Sequence, residues 1–336
     1  MKNQQEQQFD FVGIGDIVTD AFIRLKNAEL HCSVNHEHCE ICMAFGAKIP
    51  YESMTVVPAV GNSPNAAVAA ARLGLQTALV TDLGTDYHGD EAVTTLIKEK
   101  VEPRFVRRHA GKKTNYHYVL WYQDDRTILI KHEEYSYSLP EIGKPKWIYL
   151  SSLGEHSLTY HGMIERYLQE NQTVKLAFQP GTFQINLGPE KLKGIYERTE
   201  IFFCNVSEAQ KILKLENAKP DIKDLLAGVK KLGPRIAVIT DGPKGAYVSY
   251  GEQSWFIPPY PDPQAPLERT GAGDAFSSTF VTAVALGKSI PEALAWAPIN
   301  SMSVVQRVGA QAGLLTREAL EQYLAQAPAN YQPKII

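Results

Sequence analysis

The feature that most narrows the fold is an alternation of short, largely apolar runs, bounded by turn residues, with stretches of helical periodicity. The runs Phe9–Ile14, Thr55–Val60, Thr77–Thr81, Trp147–Leu150, Val174–Phe178, Glu200–Cys204 and Arg235–Ile239 are too short for helices and too continuously apolar for strands with one wet face. Between them, Asn65–Leu73, His88–Lys100, Leu158–Gln169, Ser207–Leu213, Ile222–Leu232 and Ala272–Leu286 read as helices. The βαβα order predicts a three-layer α/β/α sandwich around a mostly parallel sheet with right-handed crossovers.

Two regions break the rhythm. Thr114–Gln123 and Arg126–His132 carry β-type residues around Asp124-Asp125 and predict an antiparallel hairpin off the main sheet, and Ala21–Ser53 supplies no helix of the expected kind. Together they suggest a small β lid, with segments at about 21–55 and 112–133, on a single domain spanning 9–325. A chain of 336 residues with 44% hydrophobic residues can fill one large core. No stretch approaches the roughly 20 apolar residues that span a bilayer. Residues 1–8 are polar and Gln-rich, so a disordered tail and a cytoplasmic location are expected. A net charge of -3 gives no basic footprint for a phosphate backbone, which argues against nucleic acid as a partner.

The sharpest chemical signal is Thr270-Gly271-Ala272-Gly273-Asp274-Ala275-Phe276 at the start of an apolar helix. Small residues at a helix start let backbone N–H groups approach an anion, and the helix dipole adds to the attraction. An aspartate among those amides can take a proton from an attacking hydroxyl while the amides stabilise a transferring phosphoryl group. An acidic residue in a first helical turn is also favourable for dipole reasons alone.

These residues resemble the C-terminal signature D-T-T/N-G-A-G-D-x-F of the ribokinase, or PfkB, family of carbohydrate kinases. The resemblance implies a ribokinase-like fold, Asp274 as catalytic base, and an anion hole made by the amides of Gly271, Ala272 and Gly273. Glu268 and Arg269 stand where the family has Asp-Thr at the start of its monovalent-cation loop, which leaves potassium activation open. A second segment, Gly61-Asn62-Ser63-Pro64-Asn65 through Gly74, is similar to the family's G-G-x-x-x-N-x-A-x-x-L-A-R-L-G stretch and implies substrate binding by Gly61, Asn62 and Asn65. Asn65 read alone is a helix N-cap. After the first strand, Asp20 lies at the family's spacing for gripping sugar hydroxyls, with Asp16 beside it as a second candidate that reads equally as a turn residue.

On the nucleotide side, Asn205-Val206-Ser207-Glu208 resembles the family's N-x-x-E motif, implying Asn205 near the phosphates and Glu208 organising Mg²⁺ through water. The same four residues spell a capping box. Thr240, Gly242 and Gly245 resemble the T-x-G-x-x-G turn that borders ATP, and Asn300 with Arg307–Gln311 resembles the adenine-side Asn and closing turn.

A cluster foreign to the family pattern, His31–Cys42, holds three of the four cysteines beside His31, His36 and His38. Cys32, Cys39 and Cys42 with one histidine could hold a structural tetrahedral Zn²⁺, or the segment is a reduced surface insert. The resemblance as a whole implies transfer of the ATP γ-phosphoryl group, with Mg²⁺, to a hydroxyl of a sugar, sugar acid, sugar phosphate or nucleoside, by a homodimer paired through the lid. A non-catalytic ligand-sensing relative and a zinc-dependent interaction module are the competing readings.

Overall fold

The structure is a computed structural model that describes residues 8–32, 39–123, 125–216 and 218–336. The strand Phe11–Ile14 is buried at every position because parallel neighbours flank it on both sides, Thr77–Gly84 on one and Trp147–Leu150 on the other. Past Trp147–Leu150 the sheet continues in parallel through Lys175–Phe178, Thr199–Asn205 and Ile236–Thr240. Ala246–Tyr250, Gln253–Ile257 and Lys334–Ile335 then run antiparallel to the edge.

Successive strand residues point to opposite faces, so this one sheet builds two cores. Phe11, Leu79, Tyr149, Ala177, Phe203 and Val238 pack under Asn62–Arg72, Tyr87–Lys98, Ala272–Ala285, Ile290–Val304 and Arg317–Ala325. Val12, Val80, Ile148, Leu176, Phe178 and Phe202 pack under Leu158–Glu170, Lys193–Arg198, Val206–Ile212 and Ile222–Lys231. Each fully buried Phe, Ile or Leu contributes about 1.5–3 kcal/mol, and the result is the expected three-layer sandwich. Strand order reverses at Phe11–Ile14, so ligands are expected in the crevice beyond its carboxyl end.

That crevice is overhung by a second sheet of four strands, in the order Asp125–Leu129, Asn115–Tyr122, Val18–Leu25, Tyr51–Val60. The expected hairpin is present, with Asp124 outside the described residues. In this side sheet Asp20 lies beside His117, and Arg126 beside Trp121. By the alternation of side chains, Asp20, His117, Val119, Trp121, Arg126 and Ile128 share one face.

Thr55–Val60, read from sequence as a strand of the parallel core, belongs instead to this side sheet. Within Tyr51–Val60 only Ala59 and Val60 are buried; apolar character alone does not separate a core strand from one with an exposed face. Helices Ile290–Val304 and Arg317–Ala325 were not anticipated. The first is buried through most of its length and contains Pro298, so it lacks the polar stripe that makes a helix legible.

The cysteine segment forms a small hairpin of Glu29–Cys32 with Cys39–Cys42, in which Cys32 and Cys39 are joined by a disulfide and Cys42 is a free thiol beside Glu29. Of the two readings left open from sequence, a zinc site of Cys32, Cys39, Cys42 and one histidine or a reduced insert, the structure assembles neither among the described residues, because Cys32 and Cys39 are oxidised to a disulfide. Residues three apart on a strand point to opposite faces, and disulfide sulfurs are not thiolate ligands. Among the described residues no group of three or more metal-binding side chains occurs. His36 and His38, and residues 1–7 of the expected tail, lie outside the described residues; Gln8 donates to the Lys144 carbonyl at 2.9 Å. No described helix is long and apolar enough to cross a membrane.

Arg72 ties the first helical layer to the turn near the C-terminus. Its Nη1 donates to the carbonyls of Gln311 and Leu314, both at 2.8 Å, while Nε and Nη2 hold the Glu99 carboxylate. Hydrogen bonds to a charged group are each worth about 1.5–3 kcal/mol. Arg72→Ala is expected to lower unfolding stability by at least one such increment, seen as a lower urea midpoint at unchanged slope; an unchanged midpoint would show that the clamp carries no stability.

Candidate active site

The cleft beneath the side sheet has a volume of about 400 Å³. Its floor depends on Gly61, which turns the chain from the side sheet into helix Asn62–Arg72 at φ 125°. A Cβ there would stand 2.7 Å from the Asp16 carbonyl oxygen, so only glycine allows the helix start to press against the Asp16 loop. Asn62 and Asn65 then sit in the first turn, facing the start of helix Ala272–Ala285.

The two helix starts meet at Asp274. Its carboxylate is buried and accepts from Asn62 Nδ2 at 2.7 Å and Gln179 Nε2 at 3.1 Å on Oδ1, and from Asn65 Nδ2 at 2.8 Å on Oδ2. The orientation of the Asn65 amide is set from behind, because Gln311 Nε2 donates to Asn65 Oδ1 at 3.0 Å and to the Ala59 carbonyl at 2.8 Å. Burial raises the Asp274 pKa above the usual carboxylate range; the amides of Asn65, Asn62 and Gln179 and the Arg126 charge oppose the rise without cancelling it. Such a group is a stronger proton acceptor than an exposed carboxylate. Three donors fill both lone pairs of Oδ1 and one of Oδ2, leaving one direction on Oδ2 open to a further donor.

At one end of the cleft lie both sequence-selected aspartates. Asp16 accepts from the Tyr137 hydroxyl at 2.9 and 3.0 Å and contacts His132 Nδ1 at 3.0 Å. Asp20 faces His117, whose Nδ1 is 3.4 Å from Asp20 Oδ1. Ile128, Ile130 and Phe183 complete this end.

At the other end are Asn205, Glu208, Thr240, Gly271 and Gly273. Asn205 and Glu208 form the capping box their spelling predicts, each side chain accepting from the other's backbone N–H at 2.9 Å, and both still line the cleft. Burial and the Asp274 charge push the Glu208 pKa up, an environment that a divalent cation would relieve. A Cβ on Gly273 would meet nothing within 4 Å, and Thr270 Oγ1 is buried without a hydrogen-bond partner among the described residues. Open space and an unsatisfied hydroxyl at the start of a 14-residue helix suit a phosphate group.

Four selected residues are not brought into the cleft. Asn300 is fully buried, donating to Thr279 Oγ1 at 2.8 Å and accepting from Leu315 N at 2.9 Å, and so pins helix Ile290–Val304 to its neighbours. Gly245 is required by packing, since its Cβ would lie 2.2 Å from the Ile257 carbonyl oxygen. Gly242 lies in an exposed 3₁₀ turn. Ala272 is also not among the lining residues; its N–H points at the Arg269 carbonyl, 3.4 Å away. Conversely, sequence reasoning did not select Gln179, His132 or Phe183. Gln179 was within reach, as the first residue beyond the strand Lys175–Phe178, at the strand end that faces ligands.

The profile of the pfkB family carbohydrate kinases matches residues 39–317. The ribokinase of Bacillus subtilis is 26% identical over 275 residues, covering 81% of this chain and 89% of that protein. The nucleoside kinase of Methanothermobacter thermautotrophicus is 23% identical over 280 residues, covering 82% of this chain and 87% of the relative. Among solved structures, the ribokinase of Arabidopsis thaliana complexed with ribose and ATP has a TM-score of 0.77 at 20% identity, covering 94% of this chain and 99% of that one. The shared fold is that of the ribokinases.

Removing the Asn62 amide takes away the 2.7 Å donor on Asp274 Oδ1 and leaves burial less opposed. In Asn62→Ala the Asp274 pKa is expected to rise above its wild-type value, followed by ¹³C NMR titration of the carboxyl carbon; an unchanged or lower value would show that this contact does not govern Asp274.

Proposed function

The chain belongs to the pfkB family of carbohydrate kinases, and from that premise we propose that it moves the γ-phosphoryl group of ATP to a hydroxyl of a sugar or sugar-like small molecule, with Asp274 as general base. The observation that carries the reading is the buried Asp274 carboxylate, steadied by three amides yet with one acceptor direction left open. When bound, Mg²⁺ with ATP neutralises charge on the phosphates. Asp274 takes the proton of the attacking hydroxyl. The amides at the start of helix Ala272–Ala285, around Gly271 and Gly273, stabilise the charge that develops on the transferring group. Glu208, with Asn205, would hold the metal through water, and Thr240 would border the nucleotide. Arg126 Nε stands 3.6 Å from Glu268 Oε1, so a protein cation already balances the buried glutamate at the position from which potassium activation was left open.

A nucleoside acceptor is the second reading. It is favoured by Phe183, which lines the acceptor end with its ring 5.9 Å from His132 in an edge-on arrangement, and by the similarity to a nucleoside kinase. Pairing of two copies through the side sheet is supported by the exposed Tyr118, Leu129 and Val56, which lie on the face opposite Asp20 and His117.

Asp274→Asn is expected to lower kcat by about 10²–10⁴-fold while ATP still binds, measured by ADP release and by calorimetry. Because burial raises the pKa of Asp274, its proton-accepting form becomes dominant at a higher pH than that of an ordinary aspartate. The acidic limb of kcat/KM in the wild type should therefore fall above pH 3.8. Wild-type turnover in Asp274→Asn would remove Asp274 from the chemistry, and ligand binding with no turnover in the wild type would favour the sensing reading.

A further inference from the structure

Of the three amides on Asp274, that of Gln179 comes from the core sheet and not from helix Asn62–Arg72. Gln179 follows the strand Lys175–Phe178, and its backbone N–H donates to the Leu150 carbonyl at 3.0 Å. Within the sheet Ala177 lies beside Tyr149 of the neighbouring parallel strand. Gln179, two residues on, comes within reach of the Tyr149 side chain, whose hydroxyl donates to Gln179 Oε1. Tyr149 is fully buried, with its ring stacked on Phe11 at a centroid distance of 5.5 Å. A phenylalanine would fill the same space without a buried hydroxyl to satisfy. What the hydroxyl adds is a contact with the residue that contacts Asp274.

The direction of each bond follows from its ends. In its proton-accepting form the Asp274 carboxylate only accepts, so Gln179 turns Nε2 toward it, 3.1 Å from Oδ1. Gln179 Oε1 then faces Tyr149, which donates. Burial, with the Asp274 charge adding to it, pushes the Tyr149 pKa well up, so this proton stays in place. A side-chain amide turned end for end keeps almost the same shape. Turned, Gln179 would set Oε1 against Asp274 Oδ1 and withdraw the acceptor from the Tyr149 proton. The chain of two bonds therefore holds one orientation of the amide.

We propose that Tyr149 and Gln179 are positioning residues for phosphoryl transfer: the buried hydroxyl locks the Gln179 amide in the orientation that donates to Asp274, which holds Oδ1 and leaves Oδ2 to address the acceptor hydroxyl. This deepens the kinase reading and rests on it for the role of Asp274. The carboxylate is thereby divided into a held oxygen, with amides from Asn62 and Gln179, and a working oxygen, with one amide from Asn65. The charges that also act on Asp274, Arg126 from the side sheet and Glu208 at the nucleotide end, are left in place by the variants that test the proposal.

The test is a ¹³C NMR titration of the Asp274 carboxyl carbon in the full-length protein, with ADP release from MgATP followed across free pentoses, hexoses and nucleosides. Tyr149→Phe keeps the ring and removes only the hydroxyl. It is expected to raise the Asp274 pKa by about half a unit or more, about threefold in proton affinity. The acidic limb of kcat/KM should move up with it, at unchanged KM for MgATP. Gln179→Met should raise the pKa at least as far, and adding Tyr149→Phe to Gln179→Met should shift it no further, because the hydroxyl acts through the amide. An unchanged or lower value in Tyr149→Phe, or additive shifts in the double variant, would overturn the proposal. Should Tyr149→Phe not fold, Gln179→Met carries the test: a raised value supports the proposal, and a value at or below wild type overturns it. The kinase reading fails differently: the shifts would appear, yet no probe would release ADP with the wild type.

Discussion

Burying a carboxylate is the constraint around which this molecule is organised. Asp274 is withdrawn from water at a helix start, and an uncompensated charge there would be expensive. Its compensation comes from three distant places: Asn62 and Asn65 from an early helix, and Gln179 from the end of a core strand. Each donor is neutral, so the charge is held without being quenched by a permanent ion pair. Helix Asn62–Arg72 can supply two of them because Gly61 lets the chain turn hard against the Asp16 loop. The parallel sheet supplies the third because its strand ends open into the same crevice.

Rigidity behind the site follows the same logic. Gln311 fixes the face of Asn65, and Arg72, from the same helix as Asn65, holds the backbone carbonyl of Gln311. Helix start, carboxylate and C-terminal turn form a closed hydrogen-bonded circuit. A side-chain amide such as Asn65 can present either its donor or its acceptor, and this circuit leaves one choice that satisfies every partner. The cleft's two ends then differ in chemistry: the carboxylates of Asp16 and Asp20 and the imidazoles of His117 and His132 gather under the side sheet, while open space and the start of helix Ala272–Ala285 mark the other end.

Much of this was legible in the chain itself. The alternation of apolar runs and helices gave the sandwich, and resemblance to two family segments marked Gly61, Asn62, Asn65 and Asp274, without showing that the two asparagines would address the carboxylate. Those signals are local, and each is written within one segment. What stayed hidden depends on separation. Nothing local reveals that Gln311 will orient Asn65, 246 positions away, or that Asn62, standing where a second glycine was expected, would point its amide at the carboxylate. The inward direction of His117 was not legible because a one-residue change of register in the side sheet would have turned it to the outer face. Asn300, selected for its resemblance to the family's adenine-side Asn, lies instead in the interior: buried polar groups are mostly satisfied by their own protein, as Thr279 and Leu315 satisfy this one. The cysteine cluster misled because spacing along a strand does not reveal which sulfurs share a face.

The most direct test of the account is the position of a bound acceptor relative to Asp274, determined crystallographically with a non-hydrolysable ATP analogue in the same cleft. The account predicts one acceptor hydroxyl within about 2.6–3.2 Å of Asp274 Oδ2, in line with the terminal phosphate at the start of helix Ala272–Ala285. An acceptor whose nearest hydroxyl addresses another residue, with Asp274 still enclosed by its amides, would contradict it.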